Sequence, residues 1–147
     1  LRTERDVMAL REGLADGTID IVATDHAPHP AESKECEWQY AAFGMLGLET
    51  ALSIVWQTMI ESKLLSIETL QARMSSKPAE IGGYHNQGQP IVKGATANLT
   101  LFAPGKAWKV DRDLVASKSK NTPFHGMQFG GSVVATYFEG RESWRAI

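Results

Sequence analysis

The apolar positions of this chain change rhythm along its length, and each rhythm predicts a different element. Between Thr3 and Gly17, Val7, Leu10 and Leu14 recur at helical spacing. They follow Thr3-Glu4-Arg5-Asp6, which has the form of a capping box: a hydroxyl at the N-cap and a carboxylate three residues on. Gly17 is placed for the left-handed stop of that helix. Ile19–Ala23 then runs as a short, near-continuous apolar stretch, the pattern of a strand buried on both faces of a parallel sheet. Pro28 and Pro30 end regular structure, so Thr24 to about Phe43 reads as a polar loop, long enough to be a functional one.

Helical spacing returns from Met45 to about Leu65, with Leu48, Leu52, Val55, Met59 and Ile60 on one face. Ser66 is placed to cap a further helix carrying Ile67, Leu70 and Met74, and Pro78 opens a last turn that stops at Gly82-Gly83. Beyond it the pattern turns to short strands at Ile91–Lys93, Asn98–Phe102, Trp108–Val110 and Ser132–Phe138, separated by Gly, Pro, Asn and Lys. The expectation is an α/β part over residues 1–82 and a mainly β part over residues 83–147, with the boundary near Gly82–Gly88.

Composition removes several function classes. Apolar residues make up 43% and charged residues 22%, ordinary values for a soluble domain. A formal net charge of −2 gives no electrostatic footprint for nucleic acid or an anionic membrane. No apolar run approaches the ~18–20 residues of a membrane span, and there is no signal-peptide pattern. The single cysteine, Cys36, excludes an internal disulfide framework and suits a reducing cytosol, so a cytoplasmic location is expected. Glu35 and Glu37 flank Cys36 and argue against an activated thiol. The chain starts at Leu1 rather than Met, which suggests a fragment or a processed product.

The candidate chemistry sits where the β-branched run stops. Asp25 ends the stretch Ile19–Ala23-Thr24, and His26 and His29 follow within four residues. Catalytic groups of α/β proteins are mounted at such C-terminal strand ends. Asp25 there could ligate a divalent metal and act as general base toward its water, or serve only as a turn or N-cap carboxylate. His26 points away from Asp25 if the chain is still extended, which favours a supporting role. His29, past the Pro28 turn, could swing back to bind an anion or a metal, or stand in solvent. Phe43-Gly44 meets the next helix, where glycine lets a ligand approach the backbone closely or merely eases the chain into the helix. Glu49 reads as a solvated or salt-bridging carboxylate, and His85 and His125 as surface residues.

Thr24-Asp25-His26-Ala27-Pro28-His29 resembles the segment after the eighth strand of dihydroorotases, in the amidohydrolase superfamily. Leu1-Arg2 with Asp6, Asp16-Gly17-Thr18-Ile19-Asp20, Ala42-Phe43-Gly44 with Gly47-Leu48-Glu49-Thr50, and Ser117-Lys118-Ser119-Lys120-Asn121-Thr122-Pro123-Phe124 with Asn98-Leu99 and Gly140-Arg141 resemble further family segments, in the family's order. Hydantoinases and dihydropyrimidinases tend to carry a serine before the Asp-His and a small polar residue or cysteine after it. Thr24 and Ala27-Pro28-His29 therefore resemble the dihydroorotase branch, in its longer, multi-metal bacterial class.

The resemblance implies the C-terminal part of a (β/α)8 TIM-type barrel, its last strand and helices, plus part of a small β-sandwich. It implies reversible ring closure of N-carbamoyl-L-aspartate to L-dihydroorotate, a step of de novo pyrimidine biosynthesis, at a centre of two zinc ions. Asp25 would be a metal ligand and catalytic, taking a proton from the bridging hydroxide and passing it to the leaving amide nitrogen. His29 would bind the substrate carboxylate, and the Phe43 and Gly44 backbone the pyrimidine ring. Expected partners are this small-molecule substrate, the remaining N-terminal part of the same enzyme, and a second copy or a pyrimidine-pathway enzyme. The family's His-x-His pair, its later histidines and its metal-bridging residue have no counterpart here. With Asp25 the only assignable ligand, the chain alone is not expected to hold zinc or to be active. The competing readings are a hydantoinase- or allantoinase-like amidohydrolase and a metal-free, dihydroorotase-like scaffold subunit. Retention of Asp25 and His29 weighs against the scaffold.

Overall fold

A computed structural model describes residues 3–146. The Leu1-Arg2 segment that entered the family resemblance lies outside the described residues. Helix α1 spans Glu4–Asp16 and carries the expected capping box, the Asp6 N–H donating to Thr3 Oγ1 and the Thr3 N–H to Asp6 Oδ2. Gly17, with φ 97°, closes it by donating its N–H to the Gly13 carbonyl. Leu14 is buried while Leu10 stays exposed, so only part of the apolar face is covered by the described residues.

Ile19–Ala23 does not form the expected strand. Ile19 lies in a bend and residues 20–23 carry no regular structure; Ile19 N–H donates to the Gly13 carbonyl and Val22 N–H to the Arg73 carbonyl, which are helix carbonyls rather than strand neighbours. A parallel strand exists only by its ladder, and no described strand lies beside this one. The one bridge nearby pairs His26 with Met45 in parallel.

The loop after it holds a single 3₁₀ turn, Ala31–Ser33, and the next helix begins later than the apolar spacing suggests. Helix α2 covers Ala51–Val55 and runs on into a π turn at Trp56–Ile60. Leu48 falls before it and is exposed. Helix α3, Ile67–Gln71, is capped by Ser66 Oγ on the Thr69 N–H and continues through a π turn, Ala72–Ser76, into α4, Lys77–Gly82, with Gly83 as its left-handed cap. Leu14, Val55, Trp56, Met59, Leu65 and Leu70 form the buried cluster between these helices.

The remaining regular structure is antiparallel. Strands β1 (Leu99–Ala103), β4 (Ser132–Phe138) and β5 (Arg141–Arg145) make one sheet in the order β1-β4-β5, and β2 (Trp108–Lys109) pairs with β3 (Gln128–Phe129). Ile91–Lys93, expected as a strand, is irregular and exposed; alternation alone cannot hold a segment that finds no partner edge. The sheet is tied to α2 from two directions. Phe102 packs its ring against Trp56 with centroids 5.0 Å apart. The buried Ser53 hydroxyl donates to the Gly131 carbonyl at 2.7 Å, and Trp108 Nε1 donates to both Ser53 Oγ and that carbonyl, at 3.1 and 3.0 Å.

Candidate functional site

Asp25 follows the irregular Ile19–Ala23 segment with φ 46°, a left-handed conformation that Asp tolerates better than most residues. Its side chain is exposed and makes no hydrogen bond or ion pair among the described residues. The unusual backbone angle turns the chain sharply, so Asp25 and His26 project differently. His26 turns toward the start of the next helix, where its Nδ1 accepts the N–H groups of Gly47 (3.1 Å) and Leu48 (3.4 Å). An accepting Nδ1 fixes the proton on Nε2 and holds the ring in a supporting position. Gly47 is buried against Thr24, and a Cβ there would lie 2.9 Å from the Thr24 carbonyl oxygen. The segment leading into α2 and the residue before Asp25 thus approach as closely as a bare backbone allows.

His29 and Phe43-Gly44 come together. The Nε2–H of His29 donates to the Phe43 carbonyl at 2.7 Å, across the whole intervening loop. Gly44 has φ 108° and packs its Cα against Ala27. The Phe43 ring itself is 97% exposed, so within this chain Phe43 acts through its backbone. Lys34 closes the loop from inside, its ammonium donating to the carbonyls of Ala42 (2.7 Å) and Gly44 (3.1 Å). Asp25 shares no hydrogen bond with this group.

Two further residues hold the site; both lie in family-like segments of the sequence, which assign neither a site role. Asn121 reaches His29, Ala27 and Gly44 through its side-chain amide. Glu49 accepts the Ala116 N–H with both carboxylate oxygens, at 3.1 and 3.2 Å, rather than standing free in solvent. Their partners are 92 and 67 residues away in the chain, and no short spacing announces such contacts.

An open cleft of about 930 Å³ lies beside His29, Gly44 and Asn121. Lys34, Arg112, Lys118 and Lys120 line it against Glu35 and Asp113, so its charge favours an anion. Asp25 is outside this lining. Among the described residues no group of three or more His, Cys, Asp or Glu side chains could hold a metal ion. Asp25 offers one ligand where a catalytic zinc takes about three from protein. By themselves, then, the described residues do not fit a metal centre. They provide a free carboxylate able to move a proton and, apart from it, an imidazole and a backbone loop able to bind a polar ring.

No family model matches the chain. It is 56% identical to a Streptomyces coelicolor protein named dihydroorotase over 141 residues, 96% of this chain and 33% of that protein. It is 47% identical to a Mycobacterium tuberculosis protein of the same name over 145 residues, 99% of this chain and 34% of the relative. Among solved structures it superimposes on an L-hydantoinase from Arthrobacter aurescens with a TM-score of 0.89 and 33% identity, over 97% of this chain and 32% of that one. A D-hydantoinase from a Thermus species, 23% identical with a TM-score of 0.86 over 99% of this chain and 32% of that one, shares the fold. The chain spans about a third of the length of the curated relatives it matches. Its fold is that of the corresponding third of TIM-barrel amidohydrolases, in agreement with the expected fold class. By sequence, the chain is a homologue of a C-terminal third of the dihydroorotases, on a fold they share with the hydantoinases of the amidohydrolase family.

Proposed function

We propose that the complete protein carrying this chain interconverts N-carbamoyl-L-aspartate and L-dihydroorotate, in the cytoplasm, as a step of de novo pyrimidine biosynthesis. The observation that carries this reading is the 56% identity to a protein named dihydroorotase, against 33% to an L-hydantoinase of the same fold. The charge of the cleft supports it. N-carbamoyl-aspartate carries two carboxylates and dihydroorotate one, and Lys34, Arg112, Lys118 and Lys120 suit such anions. An unsubstituted hydantoin ring has no carboxylate to use them.

In this reading residues 1–82 close the barrel and residues 83–147 belong to the sandwich. His29, at the border of the cleft, binds the substrate carboxylate, and the Phe43-Gly44 backbone meets the pyrimidine ring. In the hydrolytic direction water adds to the ring carbonyl and the amide C–N bond breaks. Asp25 takes the proton released by the water and returns it to the leaving nitrogen. In the complete enzyme zinc would supply Lewis acidity, and of the described residues only Asp25 would contribute a ligand.

The reaction is tested by assaying the complete protein with N-carbamoyl-L-aspartate, L-dihydroorotate and hydantoin in parallel. Turnover of the first two, with hydantoin at least about 100-fold poorer in kcat/KM, supports the proposal. Preference for hydantoin transfers the chain to the hydantoinase reading, which its structural likeness to the Arthrobacter enzyme favours.

A further inference from the structure

Asn121 belongs to the irregular segment between β2 and β3, yet it bonds to both halves of the candidate site. Its Oδ1 accepts the His29 N–H at 3.2 Å. Its Nδ2 donates to the Ala27 carbonyl at 2.8 Å and, at 3.4 Å, to the Gly44 carbonyl. Its main-chain carbonyl accepts the Leu46 N–H at 3.1 Å. Ala27 and His29 flank Pro28, so one amide fixes the backbone on both sides of the turn that aims the His29 ring. The same amide reaches the loop whose Phe43 carbonyl receives that ring.

Chemistry limits what can stand at this position. One partner is an N–H and the others are carbonyls, so the side chain must present an acceptor and donors side by side on one carbon, as a primary amide does. The anchor is itself held. Glu49 grips the Ala116 N–H, and the Lys120 ammonium donates to the Val115 and Ser117 carbonyls at 3.3 and 3.2 Å.

We propose that Asn121 is a positioning residue: by fixing the backbone on both sides of Pro28 it orients the His29 imidazole for the substrate carboxylate. The purpose of this device rests on the substrate-binding role proposed above for His29. Through it, the segment that crosses between the strands acts on substrate affinity by way of His29.

The test uses the complete protein with Asn121→Ala and Asn121→Asp. The second is isosteric, keeps the acceptor for His29, and sets an oxygen against the Ala27 and Gly44 carbonyls. Both variants should raise KM for N-carbamoyl-L-aspartate about tenfold or more while kcat stays within about threefold. In a His29→Ala background, Asn121→Ala should add less than about twofold, because the group it positions is gone. NMR of ¹⁵N-labelled histidine should show the His29 ring resonances displaced in both variants. Unmoved His29 resonances, or a full-sized KM effect persisting without His29, overturns the proposal. If the resonances move but His29→Ala alone leaves KM unchanged, the anchoring by Asn121 stands and the substrate role of His29 falls.

Discussion

Gly44→Ala is the perturbation whose cost the structure specifies most fully. The new Cβ would lie 2.5 Å from the Ala27 Cβ and 3.5 Å from His29 Nε2. Carbon atoms in contact prefer about 3.5–4.0 Å, so the loop must withdraw from Ala27 by about 1 Å or more. The backbone adds a second cost. A φ of 108° lies outside the small left-handed region open to L residues, and holding a side chain there costs about 1–3 kcal/mol. Overpacking of a tight contact costs about 1–3 kcal/mol more. The loop cannot yield freely, because Lys34 and Asn121 both bond the Gly44 carbonyl.

We therefore expect Gly44→Ala to destabilise the complete protein by about 2–6 kcal/mol in urea titrations and to raise KM, since withdrawal carries the Phe43 carbonyl away from His29. Ala27→Gly separates the two costs. Gly44→Ala measured in that background should recover the overlap and leave the φ strain. The Ala27→Gly single variant serves as its reference, because the added glycine itself costs about 0.5–1 kcal/mol. A Gly44→Ala protein within about 0.5 kcal/mol of the parent, with unchanged KM, refutes the close approach. So does a double variant with no recovery at all.

His29→Ala should raise KM for N-carbamoyl-L-aspartate by about 10–100-fold and change kcat far less, read from steady-state kinetics; an unchanged KM counts against its role. Trp108→Phe removes the donor to Ser53 Oγ and the Gly131 carbonyl while the Ser53–Gly131 bond survives. It should cost about 1–3 kcal/mol in denaturant titrations and leave kcat/KM intact, because this contact joins sheet to helix away from the cleft.

What the sequence made legible was what it encodes locally. The Thr3–Asp6 box, the Gly17 stop and the Ser66 cap each satisfy backbone groups within a few residues, and all three are present. Asp25, His29, Phe43 and Gly44 were picked out by a short segment and a resemblance; the structure joins the last three and leaves Asp25 apart. Elements that depend on distant partners were not legible. Ile19–Ala23 has a strand's composition but no neighbouring strand among the described residues. Conversely, β5 reads Arg-Glu-Ser-Trp-Arg, exposed throughout, and forms because β4 offers an edge across the Glu139-Gly140 turn. Positive φ at both turn residues, 50° and 78°, suits a two-residue hairpin, and the glycine was the one available cue. Leu48, Ile91 and Val92 show the limit of hydrophobic patterning: apolar spacing predicts burial, yet within the described residues these side chains stay exposed. Asn121 and Glu49 are polar residues that act over long sequence separations, where periodicity says nothing.

The most direct test of the account is the turnover of Asp25→Asn in the complete protein, measured beside the binding of dihydroorotate. Asn also tolerates the left-handed backbone that Asp25 adopts, so the fold should survive with φ near 46°. The account predicts a fall in kcat of about 10²–10⁴-fold, with stability and substrate affinity close to those of the parent. Near-normal turnover in a well-folded Asp25→Asn protein would contradict it.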